Sequence, residues 1–172
     1  MKKSIEKILQ YVQKPARYAG GELNSVIKDK SKIDLRYAFC FPDLYEIGMS
    51  HLGMKILYSL VNSRDDAWCE RVFAPDSDME EQMRKNNVPL FALESGDFIK
   101  DFDLIGFTLM YELSYTNVLN MLDLAGIPLL AKDRKDLAPI ICCGGPCACN
   151  PEPIVDFVDI VFLGDGEEST ME

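Results

Sequence analysis

Cysteines, one histidine and a set of carboxylates are the residues here whose types could do chemistry. Four of the six cysteines, Cys142, Cys143, Cys147 and Cys149, crowd into eight residues. A thiolate metal site needs ligands at fixed spacings, and a zinc ribbon needs two CxxC pairs. Cys143-x3-Cys147-x-Cys149 supplies neither a second pair nor the CxxxCxxC spacing of a cluster-binding loop, which it misses by one residue. The cysteines therefore read as small apolar strand residues (Cys142, Cys143) and loop residues (Cys147, Cys149). An autonomous zinc or iron–sulfur protein built on Cys143, Cys147 and Cys149 stands as a minor rival. His51 is the only histidine. As an axial ligand to cobalt it would need DxHxxG, and Met49 and Met54 occupy the Asp and Gly positions. It reads instead as a satisfied first-turn helix residue. Asp43, Glu46, Asp165, Glu167 and Glu168 could converge, but acid–base work needs a pair in contrasting environments. The last three fit the start of a helix, where negative charge complements the dipole.

Glycine carries the other signal. The stretch PIICCGGPCACNPEPIVDFVDIVFLGDGEE (139–168) holds two apolar runs, each ending in glycine. Such runs suit parallel strands covered on both faces. Paired glycines let backbone approach a flat or bulky ligand where a Cβ would collide. Phosphate chemistry finds no support: neither GxxxxGK[ST] nor a GxGxxG after the first strand is present. A phosphoacceptor receiver fails too, because Asp43 lies past Pro42 and the third strand ends in Thr108-Leu109-Met110.

Strands and helices must position these groups. Residues 4–13 place Ile5, Ile8, Leu9 and Val12 on one helical face before Pro15, and residues 1–33 form a helical arm ahead of the domain proper. The domain, 34–172, reads as five strands at 36–41, 69–74, 103–109, 139–143 and 159–163. Residues 88–93 are left as an edge strand or loop. Helices intervene: one carries Leu52, Ile56, Leu57, Leu60 and Val61 inward, and a second is capped near Asp76–Asp78 with Met79 and Met83 on one face. A third, about 114–124, carries Val118, Leu119 and Leu122, with Gly126 closing it. A short helix is expected to open at Asn150-Pro151. This alternation predicts an α/β, flavodoxin-like, five-stranded parallel sheet of order 2-1-3-4-5. Four loops, 42–51, 110–114, 144–150 and 164–168, would line its carboxyl rim.

At 172 residues the chain has room for one domain with its own core. A net charge of −10 offers no basic face for nucleic acid and disfavours an anionic membrane. No apolar run reaches transmembrane length, and the amino terminus turns amphipathic at once, so a cytoplasmic protein with reduced thiols is expected.

The run GGPCACNPEPIVDFVDIVFLGDGEE resembles the last two strands of the cobalamin-binding domain that precedes the catalytic barrel in many radical S-adenosylmethionine (SAM) enzymes. KPARYAGGE, FPDLYEIGMSHLGMKILY, ERVFAPDSDME, PLFALES and GFTLMYELSYTNVLNMLDLAGIPLL extend the resemblance, to one subfamily, over nearly all of 10–168. It implies a corrinoid over the carboxyl rim, held around Gly48, Met49 and Ser50, Thr108 and Tyr111, Gly144, Gly145 and Pro146, and Gly164, Asp165 and Gly166, with no protein histidine on cobalt. It also implies that the 4Fe-4S cluster and S-adenosylmethionine belong to a radical SAM domain of the same polypeptide beyond residue 172, the expected partner. This stretch would then hold cofactor and carry no catalytic residue. The alternative is a cobalamin-free domain whose rim docks the barrel or a partner, with Tyr45, Met110 and Tyr111 filling the groove meant for the corrinoid tail.

Overall fold

The computed structural model describes residues 2–170. Its centre is a parallel sheet of order β2-β1-β3-β4-β5, from β1 (Leu35–Phe41), β2 (Ala67–Phe73), β3 (Leu104–Thr108), β4 (Ile140–Gly144) and β5 (Ile160–Val161). The helices are α1 (Lys3–Leu9), α2 (Ala16–Ala19), α3 (Tyr45–Ser50), α4 (Leu52–Asn62), α5 (Ser77–Asn86), α6 (Tyr115–Ala125) and α7 (Gly166–Ser169). This is the flavodoxin-like α/β arrangement expected from the alternation of strands and helices. Because every strand runs the same way, all five carboxyl ends share one rim.

Strand alternation divides the core in two. Ala38, Cys40, Val72, Ile105, Phe107, Ile141 and Cys143 pack with α1, α5 and α6 on one face. Tyr37, Phe39, Phe41, Cys69 and Phe73 pack with α4 on the other. Ile5 and Ile8 of α1 are fully buried in the first layer, so the amino-terminal arm docks on the domain.

β2 lies at the edge of the sheet, yet all seven of its residues are buried. The arm and the segment after α5 cover it: Trp68 Nε1 donates to Val26 O at 2.9 Å, and Leu93 N donates to Arg71 O at 2.8 Å. Its two buried charges are paired, Glu70 with Arg36 and Arg71 with Glu94, the latter at 2.6 Å. An unpaired charge at that depth would be far more costly.

Several local expectations are corrected. α1 stops at Leu9 and the chain turns before Val12, which is still buried. The inner stripe of α4 is Met54, Tyr58 and Val61; Leu52 is 69% and Ile56 41% exposed. Val61 and, in part, Leu57 face inward as expected, while Met54 and Tyr58, whose Oη accepts from Val26 N at 2.8 Å, take the places expected of Leu52 and Ile56. Residues 88–93, expected as an edge strand or a loop, form a largely buried loop with one bridge, Phe91 to Phe98. No helix opens at Asn150-Pro151; 3-10 turns at Pro146–Cys149 and Val155–Phe157 replace it. Pro153 disfavours helical backbone at the preceding Glu152, within the first turn such a helix would need. β5 is short and open, with Ile160 on it 41% and Phe162 just past it 38% exposed. Gly126 closes α6 in a left-handed conformation as expected, φ +73°.

Candidate functional site

At the end of β4 the chain reaches Gly144-Gly145. Gly145 has φ +100°, and a Cβ there would lie 2.9 Å from the Leu109 carbonyl oxygen. The close approach of strand ends that forces glycine is tied by Leu109 N to Gly144 O at 2.7 Å and Cys147 N to Leu109 O at 3.1 Å. At the end of β5, Gly164 (φ +103°) turns the chain toward α7, whose first residue, Gly166, abuts Leu57 of α4. Both glycine turns therefore face one cavity of about 130 Å3 at the carboxyl rim, on the face of the sheet that carries Tyr37 and Phe39.

Its inner end is built from strand interiors. Gly106 of β3 pairs with Phe39 and Cys142 in register, and a Cβ on it would overlap the Tyr37 ring, so glycine is what lets that ring lie across the sheet. The Tyr37 and Phe39 rings are stacked, centroids 5.6 Å apart. Burial, with Cys143 and Asp159 nearby, pushes the Cys142 thiol up to about 12, and burial pushes Cys143 up to about 11. Burial likewise raises the Tyr37 phenol well above its usual range, with Cys142, Cys69 and Cys40 adding to it. The described side chains that line the slot are thus neutral at physiological pH.

Thr108, Gly144, Gly145, Gly164 and Gly166, all nominated from sequence, line this slot. Gly48, Met49, Ser50 and Tyr111 do not. Gly48 packs under Phe73 and Phe41, Met49 Sδ accepts from Arg71 Nη1 at 3.4 Å, and Ser50 Oγ donates to Ile47 O at 2.8 Å. Tyr111 Oη donates to Asp43 instead, joining the loops after β1 and β3. Pro146 and Asp165 sit in the two glycine turns without lining the cavity. Tyr45 stacks edge-on against Phe73 and Met110 packs in the α4 layer, so neither they nor Tyr111 fill the slot.

Tyr37, Phe39, Gly106, Cys142 and Phe162 were missed as site residues. A glycine in the middle of a buried strand is the signal that could have found them, since it marks close approach of another group.

The remaining candidates serve the scaffold. His51 Nδ1 accepts from Met54 N at 3.2 Å and caps α4. Glu46 takes Arg17 Nε at 2.9 Å and Lys14 Nζ at 3.2 Å, and these contacts, with its own backbone N–H, hold its carboxyl below the usual range. The Glu168 side chain lies outside the described residues. Among the described residues no group of three His, Cys, Asp or Glu side chains could hold a metal ion. Nor is any described helix long and apolar enough to cross a membrane.

Residues 53–172, from early α4 through both glycine turns, match the family model described as radical SAM proteins, N-terminal. This chain belongs to that family. Among curated proteins, the radical SAM N-terminal chain is 29% identical over 135 residues to "Uncharacterized protein MJ0966" of Methanocaldococcus jannaschii, a match covering 77% of the chain and 24% of that relative. It thus spans about a quarter of the length of this relative. No solved structure matches the chain.

Proposed function

We propose that this chain is the cofactor-holding module of a radical SAM protein, carrying a corrinoid over the carboxyl rim for an active site elsewhere in the polypeptide. The observation that supports this most is the convergence of the Gly144-Gly145 and Gly164–Gly166 turns on one neutral slot. A cavity of about 150 Å3 accommodates a benzene-sized guest, so this one, at about 130 Å3, admits a single small ring system and no macrocycle. The corrin would lie outside, against glycine backbone that a Cβ would obstruct, while its tail enters beside Thr108. When bound, a corrinoid supplies a cobalt centre able to exchange alkyl groups; this chain contributes binding and orientation. His51, spent on capping α4, is not offered to cobalt. No residue described here would hold the 4Fe-4S cluster or S-adenosylmethionine, which the proposal leaves to the radical SAM domain.

A second reading, a cobalamin-free docking module, draws on the apolar surface beside the slot. Ile160 on β5, Phe162 just past it, and Leu52 and Ile56 on α4 are exposed and could receive the barrel.

Mixing the protein with hydroxocobalamin, desalting it and recording the visible spectrum separates the two. Corrinoid absorbance eluting with the protein supports the first reading; none leaves the second.

A further inference from the structure

The amino-terminal end of the sheet, opposite the glycine turns, carries a second cleft. Lys100 lies in the 3-10 turn before β3, Gly126 to Pro128 follow α6, and residues 134–139 lead into β4, so all three segments reach that end. They enclose a cavity of about 240 Å3. Its wall includes Arg134, whose side chain is only 7% exposed. Nη1 donates to the Pro128 and Leu129 carbonyls, each at 3.1 Å, and Nη2 to Phe157 O at 3.2 Å and Asp159 Oδ1 at 2.9 Å. The buried Nε has no acceptor among the described residues. Lys100 and Lys135 line the same cavity, and among the described residues neither forms an ion pair or a side-chain hydrogen bond. They are not spent on the end of α6, whose Leu122, Asp123 and Leu124 carbonyls accept from Ile127 N, Gly126 N and Leu90 N. The backbone N–H groups of Lys135, Asp136 and Ala138 likewise find no acceptor among the described residues. With Arg134 offset by Asp159, two free ammonium groups stand against one lining carboxylate, Asp136, in a chain of net charge −10. Anions are repelled by most of such a surface and gather where its sign reverses.

We propose that this cleft is a phosphate-binding site in which Lys100 and Lys135 supply the counter-charge and Arg134 braces the wall. Flexible ammonium groups and free backbone N–H groups suit the several oxygens of a phosphate. A planar carboxylate would instead seek the guanidinium fork of Arg134, whose terminal N–H groups are already taken. An oxyanion is also the guest that a buried, unpaired cationic N–H favours. The site lies at the other end of the sheet from Gly144-Gly145 and Gly164–Gly166, so it rests on nothing in the corrinoid reading.

Inorganic phosphate is the probe, titrated at constant ionic strength into the isotope-labelled protein while the backbone amides of Gly126, Lys135 and Ala138 are followed. Their shifts should saturate with phosphate and stay put with chloride. Lys100→Gln and Lys135→Gln should each weaken binding about fivefold, the worth of one exposed charge contact. Lys55→Gln, on α4 and away from the cleft, should leave it as it is. Asp136→Asn removes the one lining carboxylate and should tighten binding by a similar factor, a gain that misfolding cannot imitate. Shifts that never saturate or that chloride reproduces would overturn the assignment. So would a loss in Lys55→Gln equal to that in the cleft variants, or an Asp136→Asn protein with no gain. Glycerol phosphate in a parallel titration identifies the source: tighter binding than inorganic phosphate assigns the site to a phosphate ester, and no tighter binding assigns it to the free ion.

Discussion

Gly145 sits so close to Leu109 that a Cβ on it would come within 2.9 Å of the carbonyl oxygen, at φ +100° and ψ −178°. Only glycine occupies that backbone region without strain. Gly145→Ala therefore meets both strain and a backbone collision, whereas Gly126→Ala, at φ +73° with open space around it, meets strain alone. Thermal melts should show Gly145→Ala destabilised by about 2–3 kcal/mol and Gly126→Ala by about 1 kcal/mol. Equal losses would mean that the β3–β4 rim is not locked as described.

The docked arm should respond to acid. Asp97 is partly buried, which raises its carboxyl, but Lys30, then Arg36 and Lys2, outweigh that and hold it below its ordinary value. A carboxyl with a depressed folded-state value contributes stability above the unfolded-state value, about 3.9, and loses it as pH falls through the folded-state value. Urea midpoints at pH 5 and pH 3 should therefore fall further for the parent than for Asp97→Asn. Parallel pH dependence in the two proteins would contradict this role.

Arg71 is the charge on which the β2 edge depends. It bonds Glu94 at 2.6 Å, Ser25 Oγ at 3.0 Å and Met49 Sδ at 3.4 Å, with its guanidinium 4.5 Å from the Tyr58 ring centre. Removing it strands the buried Glu94 carboxylate, whose value is already raised by burial despite Arg71. Arg71→Ala should cost about 3–5 kcal/mol and expose the arm around Ser25 to proteolysis. A stability change below about 1 kcal/mol, the range of exposed ion pairs, would show that the cluster is solvated.

Topology was legible because the signals were local: strand runs ending in glycine, a period of 3.6 between them, and Gly126 closing α6. The whole inner stripe of α4 was not: Val61 and Leu57 face inward as expected, but Tyr58 is held there in place of Ile56 by Val26, a residue 32 positions away. The same limit applies to the slot. Thr108, Gly144, Gly145, Gly164 and Gly166 could be nominated as loop residues, but the inner wall of Tyr37, Gly106 and Cys142 comes from strand interiors on three different strands. Only the sheet register aligns Phe39, Gly106 and Cys142 and so places them together. Gly48, Met49 and Ser50 lie away from the slot because their loop folds into α3 and is used in packing, and the open face of β5 is not legible because an apolar run does not reveal which side is covered.

The most direct test of the corrinoid claim is an equilibrium titration of hydroxocobalamin into the parent and into Thr108→Phe, whose ring would occupy the slot mouth while leaving the strand ladder intact. Saturable binding to the parent is expected, with at least about tenfold weaker binding to a Thr108→Phe protein that melts normally, since one displaced ring is worth upward of 1.4 kcal/mol. No binding to the parent, or equal binding to both, would contradict it.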